Sequence, residues 1–386
     1  MNPGGSVREA VIFLDYHSTT PVDPRVVEAM LPFFTERFAN PHSVEHNPGL
    51  DAAGAIENAT RQLATPVGAR PDQIILTSGA TESNNLALRG VAEGHKKAHF
   101  ISSVIEHSSV SATLDWLEKG GHRITRLPVD SEGRVDPAAV DAAIAKNTVL
   151  VSIQAANGEI GTIQAVGAIG RLCHDKGVLF HTDAVQAFGQ VALDVVRDHI
   201  DLMSFSAHKV YGPKGIGALF VADRARAQLS PQITGGEQQG GLRAGTVPTP
   251  LAVGFGCAVE LFTRERAERT QHLTQLQHRL LKHLEQDVGG IRVNGPLTDR
   301  LPGNLNVCID GVDADSLLPA LPDLALSSAS ACRGGALSAS PVLLALGLPP
   351  GMADTALRFG LGRTTTADHI DHAVRRIAHV VALLRA

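Results

Sequence analysis

Sulfur and aromatic residues are scarce in this 386-residue chain, with four cysteines, four methionines, one tryptophan and two tyrosines. Cys173, Cys257, Cys308 and Cys332 form no CxxC pair, which argues against a disulfide framework and a thiolate zinc site and suits a reducing compartment. Blocks of lysine or arginine are absent and the formal net charge is −5, so nucleic acid and anionic membrane are disfavoured as main partners. No apolar run approaches the roughly 20 residues of a membrane span. The apolar stretch near the N-terminus, "VIFL", falls short of the roughly 7 to 15 residues of a secretory signal core. These absences predict a soluble cytoplasmic protein. Histidines number 17 but are dispersed. His42 and His46 have no third ligand nearby, so no metal site is expected.

What the chain does have is ordinary globular composition, 44% hydrophobic and 19% charged, and enough length for two domains. Short apolar runs at 73–78, 98–103, 122–127, 148–153, 178–183, 200–206 and 216–221 predict seven strands. Helical patterns fall between most of them, at 81–95, 108–119, 136–145 and 165–176. Alternation of this kind predicts an α/β fold with a mostly parallel seven-stranded sheet. The last two strands are joined too closely for a helical crossover, so that pair is expected to be antiparallel. A helix is also expected over 24–38 and a long one over 250–287. Beyond it follow a strand at 305–309, a helix at 314–321, a strand at 356–361 and a final helix at 366–385. The expected organisation is a large α/β domain over 15–255. A smaller C-terminal α+β domain over 256–386 follows, with 1–14 packing nearby.

Ligands of open parallel sheets bind beyond the carboxyl ends of the strands. Four such ends carry polar groups: Ser78-Gly79-Ala80-Thr81-Glu82-Ser83, Glu106-His107, Asp183-Ala184-Val185-Gln186, and Ser206-Ala207-His208-Lys209. The first opens a helix and suits an anion, or else is a plain helix cap. It is neither a Walker A loop nor a GxGxxG fingerprint. An acid at one strand end and a lysine at the next, with a phosphate seat, are the set that pyridoxal 5'-phosphate (PLP) requires. Burial at the lysine would favour its neutral amine and ease Schiff-base formation.

The segments "LDYHSTTPVDPRV", "TSGATESNNLALRG", "HTDAVQ", "MSFSAHKVYGPKGIGAL", "GGLRAGTVPT", "SSASAC" and "LRFGLGRTTT" run in order from about residue 12 to 370. Together they resemble the PLP-dependent cysteine desulfurases of the NifS/IscS type, within the fold-type I class V aminotransferases. The resemblance implies that Lys209 holds the cofactor as a Schiff base. It implies that Ala80, Thr81, Ser206 and His208 surround the phosphate, that Asp183 pairs with the pyridinium nitrogen and that Gln186 contacts the ring oxygen. His107 would stack on the ring and move protons, and Arg358 would clamp the substrate carboxylate. Thr246 would reach the phosphate of the neighbouring subunit, which implies a homodimer. Cys332, in a loop of small residues, would attack the sulfur of bound L-cysteine, leaving alanine and an enzyme persulfide. The other three cysteines, set within helical or strand patterns, are expected to be structural.

Two departures from the family pattern stand out. The usual "NNEIG" is "NGEIG" at 157–161, so the family's cofactor-contacting Asn is Gly158 here, and Asn157 is the remaining candidate for that contact. The usual "SGSACTS" is "SASACRG", which places Arg333 beside Cys332. The implied activity is L-cysteine desulfuration, feeding a sulfur-acceptor protein such as an iron–sulfur scaffold, or thiolation. The alternatives are another class V PLP enzyme, either a selenocysteine lyase or an aminotransferase, and a non-catalytic docking subunit.

Overall fold

The computed structural model describes residues 11–328 and 339–386. Cys332 and Arg333 lie outside the described residues. The chain divides into two compact units, a larger one over 19–158 and 162–267, and a smaller one built from the described parts of 1–18, 159–161 and 268–386.

In the larger unit, seven strands lie in the order Ile74–Thr77, Gly217–Val221, Leu202–Ser206, Leu179–Asp183, Thr148–Ser152, His99–Ser103 and Arg123–Leu127. All neighbours are parallel except Gly217–Val221, which runs antiparallel to both Ile74–Thr77 and Leu202–Ser206. Five of these strands are buried at every residue, as expected where helices cover both faces of a parallel sheet. Polar side chains inside the sheet pair with each other. His99 lies between the hydroxyls of Thr148 and Thr125, at 2.7 and 2.8 Å. One sheet edge, Arg123–Leu127, is protected by its own charges. The other is closed by Gln239, whose carboxamide takes the place of a neighbouring strand. Its Oε1 accepts from Leu76 N at 2.6 Å, and its Nε2 donates to Leu76 O at 2.7 Å.

Several helices differ from expectation. Residues 24–38 hold two short helices, Pro24–Met30 and Pro32–Thr35, because Pro32 cannot continue the first. The span 250–287 is not one helix. Thr249–Arg264 ends at Glu265 (φ −89°, ψ 7°), and Arg266–His283 follows. The expected boundary at 255/256 therefore falls inside a helix of the larger unit, which runs on to residue 267. An 18-residue helix, Asn47–Ala64, has no counterpart in the sequence reading. His46 caps it, accepting from Gly49 N at 3.0 Å, which gives that histidine a structural role.

The smaller unit has an antiparallel sheet in the order Ser327–Ser328, Ala356–Gly360, Asn304–Ile309 and Ile291–Val293. Its core packs Leu305, Val307, Leu357 and Phe359 with Leu276 and Leu280 of Arg266–His283 and Ile370, Val374 and Ile377 of Ala367–Leu384. A parallel pair, Ile12–Phe13 with Leu324–Ala325, adds the N-terminal segment. Cys173 and Cys308 are buried and Cys257 is half-buried, with burial pushing the Cys173 thiol up to about 12. Among the described residues, no helix is long and apolar enough to cross a membrane, and no group of three His, Cys, Asp or Glu side chains is placed to hold a metal.

Candidate active site

Across the sheet of the larger unit, Thr77 lies opposite Gly217, and Gly217 opposite Ser206. The turns that follow Thr77 and Ser206 thus leave the same edge, one strand apart. Gly217 makes the approach feasible. A Cβ there would sit 2.7 Å from the Gly79 Cα and carbonyl carbon and 2.8 Å from Phe205 O, all backbone atoms that no rotamer change can move.

The helix Ala80–Glu93 starts at Gly79 with no side-chain cap, leaving its first-turn N–H groups and positive dipole end open to an anion. Thr81 is exposed there. Ser83 is not part of that opening, because it is buried and its hydroxyl pairs with Thr77 Oγ1 at 2.8 Å. Glu82 accepts from Ser78 N at 2.7 Å and from Arg243 Nε at 3.0 Å. Burial pushes its carboxyl up, but these donors outweigh it and hold the group below its ordinary value. The ion pair ties the Arg243 segment to the start of this helix, and Thr246, three residues on, is exposed.

Lys209 closes the single turn Ala207–Lys209 beyond the buried strand Leu202–Ser206. Beside it, His208 Nδ1 lies 3.1 Å from Thr19 Oγ1, and the His208 carbonyl accepts from Thr20 N at 2.9 Å. Burial, and then the positive charges of Lys209 and Lys214, lower the His208 pKa to about 4, so its ring is neutral near pH 7.

Asp183 ends the neighbouring strand and is buried. Its donors are Asn84 Nδ2 at 2.8 Å and Val185 N at 3.0 Å, both neutral, so the carboxylate has no cation partner among the described residues. From it a directed chain of hydrogen bonds runs to His107. A carboxylate only accepts, so Asn84 turns its NH2 toward Asp183. That NH2 also donates to Ser109 Oγ at 2.8 Å, leaving the Ser109 proton for His107 Nδ1, 2.8 Å away. Ser109 N–H donates to the same Nδ1 at 3.2 Å. Neutral His107 therefore carries its proton on Nε2. The cost of this orientation is visible at Asn84 Oδ1, which is buried without a hydrogen-bond partner.

Glu106, which precedes His107 in the chain, is buried. Burial pushes its carboxyl up to about 8, against the Ser103 hydroxyl (2.6 Å) and Gln154 N (3.1 Å), while the negative charge of Asp183 adds to the rise. Asn157 donates from Nδ2 to Ile105 O at 3.2 Å. Gln186 is half-buried, three residues beyond Asp183. Asn84 and Ser109 were not anticipated from the sequence. The available signal was an amide on the inward stripe of a helix, with Ala87, Leu88 and Val91 at the spacing of one face.

In the smaller unit, Arg358 lies opposite Ser327 and Asn306 in the sheet and is only 6% exposed. Its Nη2 donates to Asp15 Oδ1 at 2.8 Å and to Ser327 Oγ at 3.3 Å, while its Nε is buried without a partner. An uncommitted buried guanidinium N–H is suited to receiving a carboxylate. Nearby in this unit, Glu159 accepts from the Ser340 hydroxyl. Burial pushes Glu159 up to about 7, opposed by that bond and by the charge of Arg358.

Comparison with known proteins agrees with this geometry. The family model for aminotransferase class-V matches residues 12–372. A cysteine desulfurase IscS of Rickettsia prowazekii (strain Madrid E) is 46% identical over 376 residues, covering 97% of this chain and 92% of the relative. Among solved structures, a NifS-like protein superposes with a TM-score of 0.90 at 33% identity, covering 97% of this chain and 100% of that one. Another, described as SspA in complex with cysteine, gives a TM-score of 0.82 at 37% identity, covering 91% of this chain and 98% of that one. With the family model spanning nearly its whole length and the sheet, strand ends and lysine turn in place, this chain belongs to the aminotransferase class-V family.

Proposed function

We propose that the protein is a PLP-dependent L-cysteine desulfurase. The observation that carries this reading is the buried Asp183 with only neutral donors, one strand away from the Lys209 turn. A buried anion without a cation is costly, and a protonated ring nitrogen supplies the missing charge. The uncapped start of Ala80–Glu93, with Thr81, Ser206 and His208, suits the phosphate, and Lys209 supplies the amine for covalent attachment. PLP, when bound, acts as the electron sink that weakens bonds at the substrate's Cα and Cβ.

The chain's own groups do the rest. Arg358 holds the substrate carboxylate through its buried guanidinium. His107 gives and takes a proton at Nε2, with Nδ1 fixed by Ser109. Cys332 attacks the substrate sulfur, so that the C–S bond breaks, an S–S bond forms, and the thiol proton ends on the methyl group of alanine. The persulfide then passes to an acceptor protein, such as an iron–sulfur scaffold. A persulfide-forming thiol needs a reducing compartment, so we place the enzyme in the cytoplasm. The exposed Thr246 supports a homodimer in which each subunit completes the other's phosphate site.

The test is to incubate the protein with L-cysteine and follow alanine and protein-bound persulfide. The Cys332→Ala variant is expected to form neither, and Lys209→Ala to lose the covalently bound chromophore. Equal alanine production by wild type and Cys332→Ala overturns the assignment of the nucleophile. Formation of a keto acid instead of alanine overturns desulfuration.

A further inference from the structure

Gly158 has no backbone reason to be glycine, because it is not among the glycines with positive φ. Its reason lies in Gln186. A Cβ at position 158 would sit 2.7 Å from Gln186 Nε2, 2.8 Å from Cδ and 3.0 Å from Cγ. The Gln186 carboxamide thus fills the room that a side chain at 158 would need. Asn157 does not take over that position. It is 4% exposed, its amide nitrogen donates to Ile105 O, and its backbone N–H donates to Thr162 O at 2.9 Å.

The backbone that carries Gln186 is firmly held. Ala187 N and Phe188 N both donate to Ala184 O, at 2.9 and 2.7 Å, and Val185 N donates to Asp183. Gln190 Nε2 reaches the Gln186 carbonyl at 3.3 Å. With the main chain from Asp183 to Phe188 fixed, what a new group at 158 would meet is the far end of the Gln186 side chain rather than backbone.

Resting on the PLP reading above, we propose that Gly158 is a positioning residue for Gln186. The absent side chain at 158 lets one carboxamide serve the PLP ring where the related enzymes use an additional asparagine. Any side chain at 158 then displaces Gln186 and leaves Asp183 in place.

The experiment compares holoenzymes of wild type, Gly158→Ala, Gln186→Ala and the double variant. It reads the rate of PLP loss and the absorption spectrum of the bound cofactor. Each single variant is expected to lose PLP up to about tenfold faster, the size of one hydrogen bond, and to share the same spectral shift. The double variant is expected to match Gln186→Ala, because the two changes remove the same contact. A crystal structure of Gly158→Ala is expected to show a moved Gln186 carboxamide and an unmoved Asp183. Wild-type behaviour of Gly158→Ala, or full additivity in the double variant, overturns the proposal. If Gly158→Ala does not fold, the double variant decides by itself. Without the clash it folds and matches Gln186→Ala, whereas further loss overturns the proposal. A wild-type protein that holds no PLP overturns the cofactor reading itself, a failure distinct from the others.

Discussion

His181 and His107 both bond to serine hydroxyls, but His181 lies inside a strand and His107 just beyond the end of one. His181 is 0% exposed, with Nδ1 2.8 Å from Ser152 Oγ and Nε2 3.1 Å from Ser204 Oγ. Burial lowers its pKa to about 3, so it stays neutral, and both ring nitrogens are spent on the sheet. His107 is exposed and spends only Nδ1, on Ser109. Residue type does not separate the two. Position does, because a ring at a strand end keeps one nitrogen for a ligand.

The largest expected effect is at the rim. His107→Asn keeps a good helix N-cap, so the thermal midpoint is expected to stay within error of wild type. Alanine formation is expected to fall about 10²- to 10⁴-fold, the usual worth of a positioned acid–base group. His181→Ala is expected to do the opposite. It opens a cavity and strips partners from Ser152 and Ser204, costing about 3 kcal/mol in urea unfolding. Turnover per bound PLP is expected to stay unchanged. Loss of activity in the His181 variant at full PLP occupancy would break the comparison.

The same contrast explains what was legible in the sequence. Strands buried at every residue leave apolar runs with polar ends, and Leu179–Asp183 and Leu202–Ser206 lie inside the runs marked from the sequence. Asp183 at the end of one such run, and His107 and Lys209 beyond the ends of others, were legible for the same reason. Helix Asn47–Ala64 was not. Its buried face is mostly small, with Gly49, Ala52, Ala59 and Ala64 in place of large apolar side chains, and its cap is a histidine rather than Ser, Thr, Asp or Asn. Pairs as short as Ile12–Phe13 and Ser327–Ser328 show no period at all. The Asn84–Ser109 link escaped because it depends on donor direction, which Asp183 imposes only once the chain is folded. Gly158 was visible as a departure, but its meaning required the position of Gln186.

Glu106 sharpens the comparison, being as buried as a core residue yet adjacent to His107. Its folded-state carboxyl is raised from 4.5 to about 8 by burial, so folding favours the protonated form. The linked stability is fully present below pH 4.5 and is lost as pH rises toward and through about 8, because the unfolded chain releases the proton first. Glu106→Gln removes that release. The amide oxygen can keep the bonds from Ser103 Oγ and Gln154 N that now go to Oε1, while the NH2 replaces Oε2, the second acceptor of Gln154 N, with a donor. The variant is expected to show a flatter fall of the thermal midpoint between pH 5 and pH 8 than wild type, by about a few degrees. Turnover at neutral pH is expected to change less than with His107→Asn. Parallel pH profiles of wild type and variant would mean that Glu106 is ionised in the fold. The negative charge next to His107 in the chain would then belong with the chemistry at the rim and not with the core.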